Sequence, residues 1–518
     1  MAAANASFSP LAQFLANPSE WTSNTPLQAI FGAVAVILLS TLLLRSSSNE
    51  KVYELGGIPI VTAWTFFTRR YDFIQDRFKE SKGKMFRFRV LQHRVLSMAG
   101  ETSRKVFFNE PGLSMTEGYR ILMGGAPELK DIKVQTTSDG EDVQSDVDEG
   151  FIKRLLSLVR KDRIADTLPA LLDDLDVRVS GWGAEGKINP FKDVYDLVFQ
   201  MTIRMATCQE LAEDREAMDL ISKTYWTLEQ SATPVSLLLP WFPGPAKKAK
   251  EKATTALYTM FLKFVERRRN AATPSTDPID ILIAQGHSDQ TIIGTIMGIV
   301  FAGVINTGMN ACWTLLYLGS NPTWKKRVTD EYKTLVEKHT DTLSTEPLHK
   351  RLATIPLNAW EDELPTLDLV IRETLRLTLT GSAIRRNLHQ NVKVEDDIVV
   401  KTGEFMTYQL ADVHLNPSIY PEPLKFDPER YLEGREEDRK ETFAYLGWGV
   451  GRHPCAGMKI AKLEVKLALA LILLGFEYEL VDGSGKYPKA LPVPDRNDIQ
   501  QARPLGEPCY LKVKRVME

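Results

Sequence analysis

The strongest constraint in this 518-residue chain is a short run near its C-terminal end, FAYLGWGVGRHPCAGMKIAKLE at 443–464. Three glycines, Gly449, Gly451 and Gly457, crowd around a single cysteine, Cys455. Glycine lets a backbone turn tightly and approach atoms that a Cβ would keep away. Beyond Cys455, the apolar residues Ile460, Leu463, Leu467, Leu471 and Leu474 recur at steps of three and four, the spacing of one helix face. Cys455 therefore stands at a predicted helix N-terminus, where the positive end of the dipole favours an anion. A thiolate there needs shielding from water and nearby donors, or it takes up a proton. A buried structural cysteine, the alternative, does not call for these flanking glycines.

Counted outward from Cys455, the run reads W-G-x-G-R-H-x-C-x-G, with Ala461 and Glu464 further on. It is very close to the F-x-x-G-x-[RH]-x-C-x-G signature of haem-thiolate proteins, and from about Gly56 onward the chain resembles a cytochrome P-450. The resemblance implies a mainly α fold with small β sheets behind an N-terminal transmembrane helix. It implies haem b held through Cys455 as axial iron ligand, with Trp448 in the usual Phe position and Gly449 beside it. His453 matches the residue that bonds a haem propionate, and Arg452 competes with it. Arg385 and Arg386 are equal candidates for a second propionate contact. The implied chemistry is hydroxylation of an apolar small molecule by dioxygen, with NADPH electrons arriving through a separate reductase. A thiolate ligand supplies electron density that favours O–O cleavage.

Two further motifs support the resemblance. Glu373 and Arg376 form E-x-x-R, three residues apart and able to meet on one helix face. Arg430 lies in the P-E-R of PEPLKFDPERY and completes an expected buried Glu–Arg–Arg network through its planar, bidentate guanidinium. Its expected role is structural.

Ser288 reads as the N-cap of a long helix running to 318. This helix is apolar nearly all round, so burial is expected. It resembles the helix that crosses the distal haem face in the family. Where most members show A-G-x-[DE]-T, this chain has Ala302-Gly303-Val304-Ile305-Asn306, followed by Thr307. The acid of the usual proton-delivering pair is absent. Asn306 and Thr307 are the candidate catalytic residues, although an amide cannot itself supply a proton at neutral pH. An Asn bonded only to its own helix backbone is the alternative. Ala-x-x-x-Asn together with Trp448 looks like the branch containing cholesterol 7α-hydroxylase, sterol 12α-hydroxylase and prostacyclin synthase. That branch points to a sterol or terpenoid substrate. It also keeps open a reductase-independent rearrangement of a lipid hydroperoxide or endoperoxide.

The segment 27–44 (LQAIFGAVAVILLSTLLL) carries no charge and would extend about 27 Å as a helix, enough to span a bilayer. No Lys or Arg precedes it, whereas Arg45, Lys51, Arg69 and Arg70 follow, which orients the large domain to the cytosol. The expected organisation is a lumenal segment 1–26, an anchor 27–44, a linker 45–55 and a catalytic domain 56–518 at the endoplasmic-reticulum membrane. Asn5 heads a glycosylation sequon on the lumenal side. Net charge of −3 with 25% charged residues gives no sign of a nucleic-acid partner. The four cysteines are scattered without a C-x-x-C, as in a reducing compartment.

The remaining chain carries four smaller expectations. Residues 85–96 alternate as a strand or strand pair. Residues 131–150, rich in Asp, Glu, Ser and Thr, read as a solvated loop, and 151–175 as one helix. In the family a basic residue on the latter helix pairs with a propionate, for which Lys153 or Arg154 is available; a solvated basic face is the alternative. At 237–252, Trp241 and Phe242 beside Lys247, Lys248, Lys250 and Lys252 suit a loop dipping into membrane lipid, or else a core-facing loop before a helix. Lys459, Lys462 and Lys466 share one predicted helix face, a candidate docking stripe for the reductase.

Overall fold

The computed structural model describes residues 51–123, 147–239, 241–341, 343–395, 397–498 and 502–517. The lumenal segment with its Asn5 sequon, the anchor at 27–44, most of the 45–55 linker and residues 131–146 lie outside the described residues. Tyr53 and Glu54 pair in parallel with Phe86 and Arg87, so the folded body begins before residue 56.

One helix, Asp289–Ser320, runs through the middle of the molecule. The Ser288 hydroxyl accepts the Thr291 backbone N–H at 3.2 Å, the N-cap expected from sequence. Its nearly continuous apolar composition is explained by what surrounds it. Helices Tyr195–Ala206, Pro245–Arg269, Pro365–Thr378 and Met458–Gly475 all pack against it. Among the described residues it alone is long and apolar enough to cross a membrane, and it is mostly buried inside the protein.

A six-stranded sheet forms the other main body, in the order Tyr53–Glu54, Phe86–Val90, His93–Met98, Phe405–Gln409, Ser382–Asn387, Leu113–Ser114. The alternating run at 85–96 is indeed a strand pair, with Phe88 opposite Val95 and Val90 opposite His93. A second sheet joins Phe476–Val481, Tyr510–Arg515 and Glu185–Ile188.

The single helix expected over 151–175 is two helices, Val147–Leu158 and Lys161–Ser180. The break has a local cause. Arg163 is buried and donates through Nε to the Leu158 carbonyl at 2.5 Å and through Nη2 to Met205 O at 3.1 Å. It thus satisfies a helix-end carbonyl that would otherwise seek a continuing turn. Arg160, in extended conformation, begins the second helix.

Candidate active site

The loop before Cys455 is closed by its own backbone. Cys455 N–H donates to Trp448 O at 2.7 Å, and Gly449 N–H to Leu446 O at 3.0 Å. Gly449 has φ +67° and Gly451 φ +63°, a region that favours glycine. A Cβ on Gly449 would collide with the His453 carbonyl oxygen, and one on Gly451 with Phe108 O. Arg452 N–H donates to the same Phe108 carbonyl at 3.0 Å, which docks the loop on helix Glu101–Asn109. The helix Met458–Gly475 starts three residues after the cysteine. Of the four cysteines, Cys208, Cys312 and Cys509 are buried; only Cys455 is exposed. Although the residue is exposed, the protein atoms packed round the loop partly desolvate its thiol and push the pKa up, and the Gly457 backbone N–H opposes this. Trp448 is half-buried against the main core.

The network expected of Glu373, Arg376 and Arg430 is present, and all three side chains are buried. Arg376 meets the Glu373 carboxylate with two bonds of 2.8 Å, and Arg430 Nε adds a third at 3.2 Å. The spare guanidinium donors go to carbonyls of the irregular segment: Arg376 to Pro423 O at 2.7 Å, Arg430 to Pro421 O at 2.6 Å and Glu422 O at 2.8 Å. Arg430 also pairs with Glu437 at 2.8 Å, a buried carboxylate that motif reading missed.

This network is tied to the cysteine loop by three side chains. Tyr420 Oη donates to Ala444 O at 3.0 Å and Tyr445 Oη to Arg372 O at 3.2 Å. His414 Nε2 accepts Leu446 N–H at 2.9 Å, so the ring proton sits on Nδ1 and faces Leu379 O at 2.8 Å. Burial pulls the His414 pKa down to about 3, keeping the ring neutral.

On the central helix, Ala302 and Asn306 are exposed to open space, one turn apart on one face. Asn306 Nδ2 donates to Ala302 O at 2.9 Å, the bond to its own helix backbone that the alternative reading expects, while the carboxamide oxygen is left as an acceptor on that face. Ile305 and Thr307 are buried, 4% exposed each. The structure therefore separates the two candidate catalytic residues: Asn306 is exposed and Thr307 is buried. Beside this stretch, Glu464 is fully buried and takes the Thr202 hydroxyl at 3.2 and 3.3 Å. Burial raises its carboxyl pKa to about 8.

The strand Ser382–Asn387 distinguishes the two arginines, because neighbours on a strand point to opposite faces. Arg385 is buried over the Phe107 ring; Nη1 donates to Ile384 O at 2.9 Å, and Nε has no partner among the described residues. Burial pulls its pKa down to about 10. Arg386 faces the other way, paired with Glu117 at 2.9 Å. Arg452 is exposed and His453 half-buried. Arg154 donates to Thr295 Oγ1 at 2.7 Å near the start of the central helix, and Lys153 is exposed.

The lysine stripe needs correction. Lys466 is buried, donating to Trp360 O at 2.9 Å and Glu361 O at 3.1 Å. Lys462 pairs with Asp368 at 2.9 Å, and only Lys459 is largely exposed. The shared face exists, but helices Leu357–Asp362 and Pro365–Thr378 cover its inner end.

The family model for cytochrome P-450 matches residues 55–493. The chain belongs to the cytochrome P-450 family. It is 30% identical to the cytochrome P-450 monooxygenase AacuE of Aspergillus aculeatus, over 85% of this chain and 88% of that one. It is 24% identical to the obtusifoliol 14-alpha demethylase of Sorghum bicolor, over 88% and 90%. A retinoic-acid-bound cyanobacterial CYP120A1 superposes with a TM-score of 0.67 at 21% identity, covering 88% of this chain and 96% of that one. The fold is thus the mainly helical P-450 fold with small sheets, and the protein is an oxidoreductase of a family built on haem-thiolate iron. The residues present fit such a group: a glycine-walled loop presents an exposed sulfur at a helix start, and a buried guanidinium has an uncommitted Nε.

Proposed function

We propose that the protein is a membrane-anchored monooxygenase that hydroxylates an apolar small molecule, a sterol or terpenoid, with Cys455 as axial ligand of haem b. The carrying observation is the cysteine loop together with the exposed face of the central helix. The only exposed cysteine sits in a glycine-built loop held by the buried Glu373–Arg376–Arg430 network, and the Ala302–Asn306 face is open to space. Bound haem iron supplies the oxidising chemistry. One C–H bond, dioxygen, two electrons and two protons yield C–OH and water; the electrons come from NADPH through a reductase.

In this reading the chain's own groups divide the remaining work. Gly449 and Gly451 keep the loop tight around the sulfur. Arg385, buried over Phe107 and, among the described residues, free of a carboxylate partner such as the Glu117 of Arg386, would hold a propionate, and His453 or Arg452 would hold the other. Asn306 orients water at the distal face. The demethylase relatives support a sterol-like skeleton.

The endoplasmic-reticulum anchor at 27–44 is part of the same proposal. Support comes from an apolar surface beside it in sequence: Ile58, Ile60, Val61 and Trp64 are exposed on and before helix Pro59–Thr68. Helix Pro234–Leu238 shares a small core with that helix, and Trp241 (72% exposed) and Phe242 follow it. These residues seat the domain on lipid and open the cleft to a membrane-dissolved substrate.

A second reading follows from Ile305 in place of the usual acid: isomerisation of a lipid peroxide without external electrons. One experiment separates the two. Microsomes containing the protein are given a sterol and terpenoid panel, with and without NADPH and reductase. Product requiring both, with oxygen from the gas phase, is expected. Peroxide rearrangement without reductase, and no hydroxylation, would overturn the monooxygenase reading.

A further inference from the structure

One turn beyond Asn306 the central helix carries a second amide, Asn310. It is 4% exposed, and neither Nδ2 nor Oδ1 has a partner among the described residues. Asn306 differs, since its amide nitrogen is committed to Ala302 O. A buried carboxamide can donate two hydrogen bonds and accept two. Leaving all of them unmade is costly, and such groups are normally served by ordered water.

The place of Asn310 gives that water a use. Asn306, Asn310 and Thr314 repeat at four-residue intervals, so they lie along one slowly turning face of the helix. Asn306 is at the open end, and Asn310 and Thr314 are buried. The Thr314 hydroxyl lies 3.4 Å from that of Thr374, on the helix that carries Glu373. These polar positions thus run from the exposed Asn306 into the helix interface, and the position next to Asn306 that normally bears an acid is the buried Ile305. The proposed reaction consumes two protons at the distal face, and no carboxylic acid opens there from 302–307.

We propose that Asn310 is a positioning residue that holds an ordered water and, with Asn306, forms an amide-and-water relay supplying protons to the distal face. The amides do not titrate. Water donates one proton toward the cleft and regains one from the water behind it, so the proton comes finally from solvent and both amides end unchanged. The inference rests on the monooxygenase reading above.

The test uses haem-loaded, full-length protein with reductase, comparing wild type, Asn310→Leu and Asn310→Ser. Leucine keeps the branched shape and removes every polar atom; serine keeps a hydroxyl and leaves room for water. A high-resolution crystal structure of wild type is expected to show a water bonded to the Asn310 amide, absent from Asn310→Leu. The leucine variant is expected to keep its haem content and thermal midpoint. Its fraction of NADPH electrons lost as hydrogen peroxide should rise several-fold, with a larger solvent deuterium isotope effect. Asn310→Ser should restore both values toward wild type. Absence of the water, unchanged coupling in Asn310→Leu, or a serine variant as defective as leucine overturns the relay. A wild-type protein that oxidises no NADPH with reductase and substrate overturns the monooxygenase reading and the relay with it.

Discussion

Consider Glu373→Gln, a change of one atom in the buried network. The carboxylate accepts five hydrogen bonds. Oε1 takes Arg376 Nη2 (2.8 Å), the Asp427 backbone N–H (3.0 Å) and Arg430 Nε (3.2 Å). Oε2 takes Arg376 Nε (2.8 Å) and Tyr431 Oη (2.9 Å). Glutamine offers one oxygen, and placing its NH2 at the less crowded Oε2 position turns it against Arg376 Nε–H. Tyr431 can rotate to accept; the guanidinium cannot. One charge-assisted bond is lost, at about 1.5–3 kcal/mol, and the others weaken as the charge disappears. Arg430 keeps Glu437 at 2.8 Å, so the damage stops short of stranding both cations. The sum is about 3–4 kcal/mol, within the range for breaking a buried pair. That is a large share of the roughly 5–15 kcal/mol available to a folded protein. Urea unfolding of the detergent-solubilised protein, followed together with its carbon monoxide difference spectrum, should show the midpoint drop and reduced haem-thiolate content. A loss below about 0.5 kcal/mol with full haem content would refute the assignment of the network as what holds the cysteine loop.

Three other perturbations reach different parts of the site. Glu464 keeps its proton up to about pH 8 when folded but loses it near 4.5 when unfolded, so stability should fall as pH rises from 4.5 to 8 and level off above. Glu464→Gln should remove that slope, gaining on the order of 4 kcal/mol at pH 8.5 relative to wild type; equal pH dependence in chemical denaturation would contradict the buried-acid reading. Gly449→Ala meets both a left-handed φ of +67° and the His453 carbonyl, and should yield folded protein with most of its haem-thiolate signal gone, which absorbance per mole of protein measures. Asn306→Thr should keep haem content while shifting the peroxide fraction at least two-fold; identical coupling would remove Asn306 from oxygen handling.

Motifs that act over a few residues are legible in the amino-acid sequence. The glycine pattern around Cys455, the Ser288 cap and the 85–96 strand pair are local effects, and each appears where expected. The Glu373–Arg376 pair is equally local, being one helix turn. Periodicity is a weaker guide where a distant group intervenes. Nothing in 151–175 announces that Arg163 will bond Leu158 O and Met205 O and break the helix. Lys459, Lys462 and Lys466 do share a face, but a helical period cannot say which residue another helix will cover.

By itself, then, the amino-acid sequence determined the cysteine loop, the capped apolar helix and the Glu373–Arg376–Arg430 core of the buried ion network, though not its fourth member, Glu437. Each follows from backbone conformation or charge pairing within short reach, or from a motif whose members require one another. Tertiary structure alone decided that Arg385 rather than Arg386 turns inward, that Asn306 is exposed while Thr307 is buried, and that Asn310 is enclosed without a partner among the described residues. These are questions of which face meets which neighbour. The answer depends on the packing of segments separated by tens to hundreds of residues, and no local period encodes it.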